Sequence, residues 1–380
     1  MRVLHLIDSL GTGGAERSLA AMAPHLRDAG VDLEVAHLRS PDTLGPELAA
    51  AGIQVHDLRG SDSRPHQIER VRGLLQRRGT ELLHTTLYRA DVAGRPAAAR
   101  AHIPSVTTWA STGPEDGGQL LRAKRIRTTL VDRHTARLAA RFHAVSEPVA
   151  VAVGTRLSIA SDLIDVIPRG RDPRRLGTRG TARSQSVRDA FGVGDAPMIV
   201  ALARHEPPKG LDVLIDAMPN VLTRVPGARL LIAGANGSAT TTIERAVANH
   251  DLGDAVALLG AVDDVGDLLA AADVCAVPSR VEGFPGVVVE AAMLGTPLVV
   301  SNIASVRAAI PDRRHAVLVT VNDPASLAQG IVDVLADPIA AADRAALART
   351  HSLRESSLST IVDATLAFYE RALAARRVAA

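Results

Sequence analysis

At 380 residues the chain is too long for one ordinary core, and two domains of comparable size are expected. Apolar residues at 47% and charged residues at 22% exclude disorder, and aromatics at 2% are too few for the stacking platforms of single-strand nucleic-acid binders. The formal charge of +2 does not point to nucleic acid, although a pI near 9.1 leaves room for local basic patches.

The opening "MRVLHLID" meets Asp8 before an export-signal core forms, and no apolar run approaches the roughly 20 residues that span a bilayer, so a cytoplasmic protein is expected. Cys275 is the only cysteine, which leaves no intrachain disulfide or thiolate cluster and suggests a buried strand residue. Lys124 and Lys209 are the only lysines, so a lysine at a special place invites a functional reading.

In chain order the first half alternates β-branched runs with helical stretches: "RVLHLI", a helix over 15–29, "VDLEVAHL", "IQVHDL", a helix near 65–78, "ELLHTT", a helix near 91–101 and "PSVTTW". A basic helical stretch over 120–140 follows, then "RFHAVS" and "DLIDVIP". Residues 169–186 collect Gly, Ser, Pro and Arg without apolar period and read as a connector. The rhythm restarts with "MIVALA", a helix over 211–224, "ARLLIAG", a helix over 240–249, "AVALLG", a helix over 265–271, "DVCAVPS", a helix beginning near Gly286, "TPLVVS" and "AVLVTV". From Pro324 the pattern is almost wholly helical. This α/β order predicts two doubly wound parallel sheets, one in 1–170 and one in 171–380, with 356–380 crossing back to pack on the first domain. Ligands of such sheets lie at the carboxyl ends of the strands, so the chemistry is sought in strand-to-helix loops.

Three loops stand out. "DSLGTGGAER" aligns Gly11 and Gly13 with a dinucleotide fingerprint, but the third glycine would fall at Glu16 and the second strand ends without an acid for a ribose, which argues against NAD. The loop suits either an anion at a helix start or a tight turn. "ARHEPPKG" sets Arg204 and Lys209 on either side of a Pro-Pro turn, a bidentate fork and a point charge suited to a diphosphate, or else solvated surface charge. In "EGFPGVVVE" Gly283, Pro285 and Gly286 forbid helix across the first half. Glu282 therefore lies in a loop and Glu290 in a helix, with the amides of Gly286, Val287 and Val288 expected to point out of its start. The two carboxylates suit sugar hydroxyls, one for a ribose and one for a hexose; alternatively Glu290 complements the helix dipole and Glu282 is solvated.

In order and spacing these loops resemble the retaining glycosyltransferases of family four, with the GT-B fold of two facing Rossmann-like domains. The resemblance rests on Gly13 and Gly14, "VSE" at Val145 to Glu147, "VIPRG" in place of "IPNG", Arg204 with Lys209 and Gly210, and the E-x7-E pair Glu282 and Glu290. It implies a hexosyltransferase moving sugar from a UDP- or GDP-sugar to a hydroxyl on a glycan, a lipid-linked or a small-molecule acceptor, with no cofactor and, in keeping with the lack of a DxD motif, no metal. The implied catalytic residues are Arg204, Lys209 and Glu282. The implied substrate contacts are Gly13, Gly14, Glu282, Gly283, Phe284, Pro285, Gly286, Val287, Val288 and Glu290, with Glu290 on the donor ribose. Retention is described in this family as front-face attack, the leaving phosphate taking the acceptor proton. A histidine usual after the fifth strand is replaced by "ASTG", so its role is vacant or falls to His84 or Trp109. The alternatives are a GT-B epimerase or hydrolase, which would consume donor without acceptor, and a non-catalytic nucleotide-sugar binder. Arg133, Arg137 and Arg141, at i, i+4 and i+8, form either a solvated helix face or a stripe for peripheral contact with anionic lipid at the inner face of the membrane.

Overall fold

The computed structural model describes residues 1–113, 119–262 and 264–379, without the side chains of 119–125 and 376–379; Lys124 therefore lies outside the described side chains. The chain divides into one compact unit of Met1–Gly170 with Leu358–Ala380 and a second of Arg171–Ser357.

The first unit is built from β1 (Arg2–Ile7), α1 (Gly14–Asp28), β2 (Asp32–His37), α2 (Gly45–Ala50), β3 (Gln54–Asp57), α3 (Arg64–Arg78), β4 (Leu82–Thr86), α4 (Tyr88–Arg100), β5 (Ser105–Trp109), α5 (Gln119–Ala136), β6 (Arg141–Ala144), α6 (Glu147–Leu157) and β7 (Ile164–Val166). Among the described residues its strands form a seven-stranded parallel sheet in the order β3-β2-β1-β4-β5-β6-β7. All five residues of β4 are buried, the pattern of a strand covered on both faces.

The second unit contains α7 (Ala182–Ala190), β8 (Met198–Leu202), α8 (Leu211–Arg224), β9 (Arg229–Ala233), α9 (Thr240–Asn249), β10 (Val256–Gly260), α10 (Val265–Ala271), β11 (Val274–Val277), α11 (Gly286–Leu294), β12 (Leu298–Ser301), α12 (Ala304–Ala309), β13 (Val317–Val319), α13 (Pro324–Ala336) and α14 (Pro338–Glu355). Its six described strands run parallel in the order β10-β9-β8-β11-β12-β13. The order reverses between β1 and β4 in the first sheet and between β8 and β11 in the second, which places the ligand crevice of the second sheet at the loops after β8 and β11. Asp323 and Asp337 cap α13 and α14 by accepting from Ser326 N–H at 2.9 Å and Ala340 N–H at 3.0 Å.

The last helix, α15 (Leu358–Ala379), packs back on the first unit as expected. Its Ile361, Val362, Phe368, Tyr369 and Ala372 join Val3, Ile7, Leu19 and Leu26 in one buried cluster. Full burial of Phe368 contributes about 1.5–3 kcal/mol, which is why the chain returns rather than ending in the second unit.

Several short elements depart from the sequence expectation. The connector over 169–186 contains a 3-10 turn, Pro173–Arg175, and the start of α7. The helix read over 120–140 ends at Ala136, so Arg133, Arg137 and Arg141 do not share one helical face. Arg141 instead opens β6 and donates to Asp165 at 2.8 Å and to the Asp162 carbonyl at 2.8 Å, so it does not extend a stripe on α5. No single described helix is long and apolar enough to cross a membrane; α13 and α14 meet length and composition only as a pair, which is bent by 101°.

Candidate active site

After β8 the chain turns through a 3-10 helix, Pro207–Lys209, and Gly210 takes φ +66°, a left-handed conformation natural to glycine. A Cβ at Gly210 would also collide with the Pro278 carbonyl, so this glycine brings Lys209 against the loop that leaves β11. There Lys209 Nζ donates to Glu282 Oε1 at 2.7 Å, and Ser279 Oγ donates to the same oxygen at 2.8 Å. The lysine is 25% and the carboxylate 12% exposed, so the pair is shielded but within reach of solvent. Arg280 braces the loop, with Nη1 and Nη2 donating to the Asp212 carboxylate at 2.9 and 2.6 Å. Burial would raise the Asp212 carboxyl, but the Arg280 hydrogen bonds and charge hold it below its usual range.

Arg204 stands apart from this cluster. Its side chain is exposed and makes no hydrogen bond or ion pair among the described residues. The neighbouring His205 is buried, its imidazole lowered by burial; Nδ1 lies 3.2 Å from Thr240 Oγ1, and Nε2 has no partner among the described residues.

The glutamate motif folds as loop and then helix. Gly283, Phe284 and Pro285 form the loop, Phe284 is buried, and α11 begins at Gly286. The amide expectation needs correction: Gly286 N–H donates to the Phe284 carbonyl at 3.0 Å and Val288 N–H to the Pro285 carbonyl at 3.1 Å. Tight turns around Pro285 consume these donors, and of the three amides only that of Val287 has no partner among the described residues. Glu290 lies in the second turn of α11. Its charge adds to burial in pushing the Cys275 thiol, enclosed in β11, up to about 12.

Glu290 is not alone. Arg171 Nε donates to its Oε1 at 2.5 Å, with side chains 19% and 16% exposed. The Arg171 guanidinium also lies on Gly286, where a Cβ would collide with it. Sequence reading assigned Arg171 to the connector, and an arginine directly after "VIPRG" was the one signal that could have drawn it out.

In the first unit Gly13 is the N-cap of α1, at φ −69°, and the Glu16 side chain folds over it. A Cβ at Gly14 would come within 2.8 Å of Arg169 Nη1. Asp8 turns away from this loop and accepts from the Ala90 and Arg89 amides at 2.7 and 3.3 Å, capping α4. A small, partly open cavity lies beside α1, lined by Ser18, His5, His84, His143, Thr108 and Arg169 among others. His84 holds a hydrogen bond at each nitrogen, to Tyr369 OH at 2.7 Å and to Thr108 Oγ1 at 2.6 Å. Burial lowers its imidazole well below the usual range, so it is a neutral bridge between α15 and the sheet rather than an open base. Trp109 stacks on Phe142 with ring centroids 4.7 Å apart and is 5% exposed, which makes it a core residue. Among the described residues no group of three or more His, Cys, Asp or Glu side chains could hold a metal ion.

Comparison with known proteins places this geometry. A family model described as Glycosyltransferase Family 4 matches residues 12–175, and one described as Glycosyl transferases group 1 matches residues 196–337. The D-inositol 3-phosphate glycosyltransferase 2 of Catenulispora acidiphila is 24% identical over 407 residues, covering 97% of this chain and 92% of that protein. The GDP-mannose-dependent alpha-(1-6)-phosphatidylinositol monomannoside mannosyltransferase of Mycolicibacterium smegmatis is 31% identical over 191 residues, 48% of this chain and only 50% of that relative's length. The crystal structure of Anabaena HepE in complex with UDP superposes with a TM-score of 0.86 at 22% identity, covering 97% of this chain and 100% of that one, a likeness of fold. With two parallel Rossmann-like sheets and matches along both halves, the chain belongs to the family-four glycosyltransferases of GT-B fold.

Proposed function

We propose that the protein is a retaining hexosyltransferase that moves a sugar from a nucleotide-diphosphate sugar to a hydroxyl acceptor on a glycan, a lipid-linked or a small molecule. The observation that carries this reading is the pair of shielded ionic contacts at the switch point of the second sheet, Lys209 with Glu282 and Arg171 with Glu290. Both can exchange partners with a ligand that brings phosphate charge and sugar hydroxyls together. UDP and GDP are the leading donor nucleotides, since a relative is named as GDP-mannose-dependent and a protein of the same fold was solved with UDP.

In this reading Glu290 accepts from the donor ribose hydroxyls, and Glu282 lies at the sugar. Lys209, joined by the exposed Arg204, neutralises the diphosphate as charge gathers on it. Gly283, Phe284, Pro285, Gly286, Val287 and Val288 form the wall against which the diphosphate rests. The bond between the anomeric carbon and the phosphate oxygen breaks with its electron pair leaving on the diphosphate. The acceptor oxygen bonds to the same face of that carbon, and its proton passes to the departing phosphate. No protein nucleophile is required. The acceptor falls to the first unit, where Arg169 lines the cavity beside α1 and lies against Gly14, next to Gly13 at the start of α1.

Thermal unfolding against UDP, GDP, ADP and their sugars tests the proposal. One nucleotide should raise the midpoint, because binding at 100 times Kd stabilises the native state by about 2.7 kcal/mol. No shift with any of them would overturn it, and donor consumption that is the same with and without acceptors would favour a hydrolase.

A further inference from the structure

The backbone of Arg171 is held in place on both sides. Its N–H donates to the Ser356 carbonyl at 2.8 Å, and it forms an isolated bridge with Ser357. The next residue, Asp172, caps the 3-10 turn Pro173–Arg175 by accepting from Arg174 N–H at 3.0 Å. From this platform the side chain reaches across 119 positions of sequence to Glu290 Oε1 at 2.5 Å. Oε2 of Glu290 makes no hydrogen bond among the described residues. One carboxylate oxygen is thus held by a planar guanidinium that is itself largely buried, and the other remains for a ligand.

We propose that Arg171 is a positioning residue of the donor site, holding Glu290 in the one rotamer that presents Oε2 to the ribose hydroxyls. The proposal rests on the donor-site reading above. A long glutamate side chain has several rotamers, and a carboxylate that must find the right one at each binding event loses both affinity and selectivity. A lysine would place a point charge with no plane to align the carboxylate, so an arginine suits this task better. An ion pair that only stabilised the fold would leave recognition of the ribose untouched.

The distinguishing experiment measures calorimetric binding of UDP and GDP beside their 2′-deoxy and 3′-deoxy counterparts. The wild-type protein should bind the ribonucleotide about 10- to 100-fold more tightly, the value of a hydrogen bond to a charged group. Glu290→Gln should lose most of that ratio. Arg171→Met should reduce it to within about 2-fold while still binding the diphosphate, Arg171→Lys should restore part of it, and the Arg171→Met, Glu290→Gln double variant should be no worse than either single one. If Arg171→Met does not fold, Arg171→Gln serves with the same expected loss. Full discrimination in a folded Arg171→Met or Arg171→Gln variant, with Glu290→Gln defective, would overturn the positioning role and leave the donor site standing. Failure of the wild-type protein to bind any of these nucleotides would overturn both.

Discussion

The two units share one architecture, and the polar clusters at their candidate sites differ in kind. In the first, the Tyr369 hydroxyl, His84, Thr108, His143 and the Ile167 carbonyl form a continuous, largely buried chain of hydrogen bonds with spacings of 2.6 to 2.9 Å. Burial, with the neighbouring His143, lowers the His5 imidazole to about 3, and burial lowers that of His143 to about 4, so the network is neutral. In the second unit the contacts are ionic and solvent can reach them, Lys209 to Glu282 and Arg171 to Glu290. A closed neutral network has nothing to offer a charged ligand and much to lose if opened. Half-shielded ion pairs can trade one charged partner for another at small cost. The histidine network of the first unit is therefore framework, and the Lys209–Glu282 and Arg171–Glu290 pairs of the second are the exchangeable charges.

The contrast breaks most sharply at Lys209. Lys209→Ala should lower transfer about 10²- to 10³-fold, the loss typical of one group stabilising transition-state charge, while the urea unfolding free energy moves by at most about 1 kcal/mol. An activity loss matched by an equal loss of stability would erase the distinction between exchangeable and structural charge. His84→Phe probes the other side: it strands the Tyr369 hydroxyl and leaves Thr108 Oγ1 with His143 alone, so it should cost about 1–3 kcal/mol in urea unfolding and leave nucleotide affinity unchanged. A changed nucleotide Kd in that variant would show that the network does more than hold α15.

A pH-dependent effect is expected at Asp91, buried in α4 beside the fully buried Arg95, whose closer carboxylate is Asp132 at 2.7 Å rather than Asp91 at 3.3 Å. Burial raises the Asp91 carboxyl to about 7, opposed by the charge of Arg95 and helped by that of Asp132. The folded chain then holds a proton there that the unfolded chain has released. The resulting stability is complete below the ordinary carboxyl value of 3.8 and is lost as pH rises through about 7. Asp91→Asn should flatten this part of the stability profile in urea titrations across that window, and an unchanged slope would assign it elsewhere.

Much of this was legible in the chain. The strand "MIVAL" is buried throughout and reads as a continuous apolar run, so its place inside a parallel sheet followed directly. The loop-then-helix form of the glutamate motif followed from Gly283, Pro285 and Gly286, because backbone freedom and its loss are local properties. Short or uniformly apolar helices escaped. The α6 segment "EPVAVAVGTRL" alternates like a strand at its centre, and α2 spans only 6 residues.

Local chemistry thus established the alternation of strands and helices, the loops that carry cations and carboxylates, and the family to which they belong. Side-chain partnership was decided only when the chain closed on itself. Lys209 meets Glu282 across 73 positions and Arg171 meets Glu290 across 119, because sheet order, not sequence distance, sets which loops adjoin. His84 is closed to chemistry for the same reason: its Tyr369 partner lies 285 residues away on a helix that returns to bury its own apolar face.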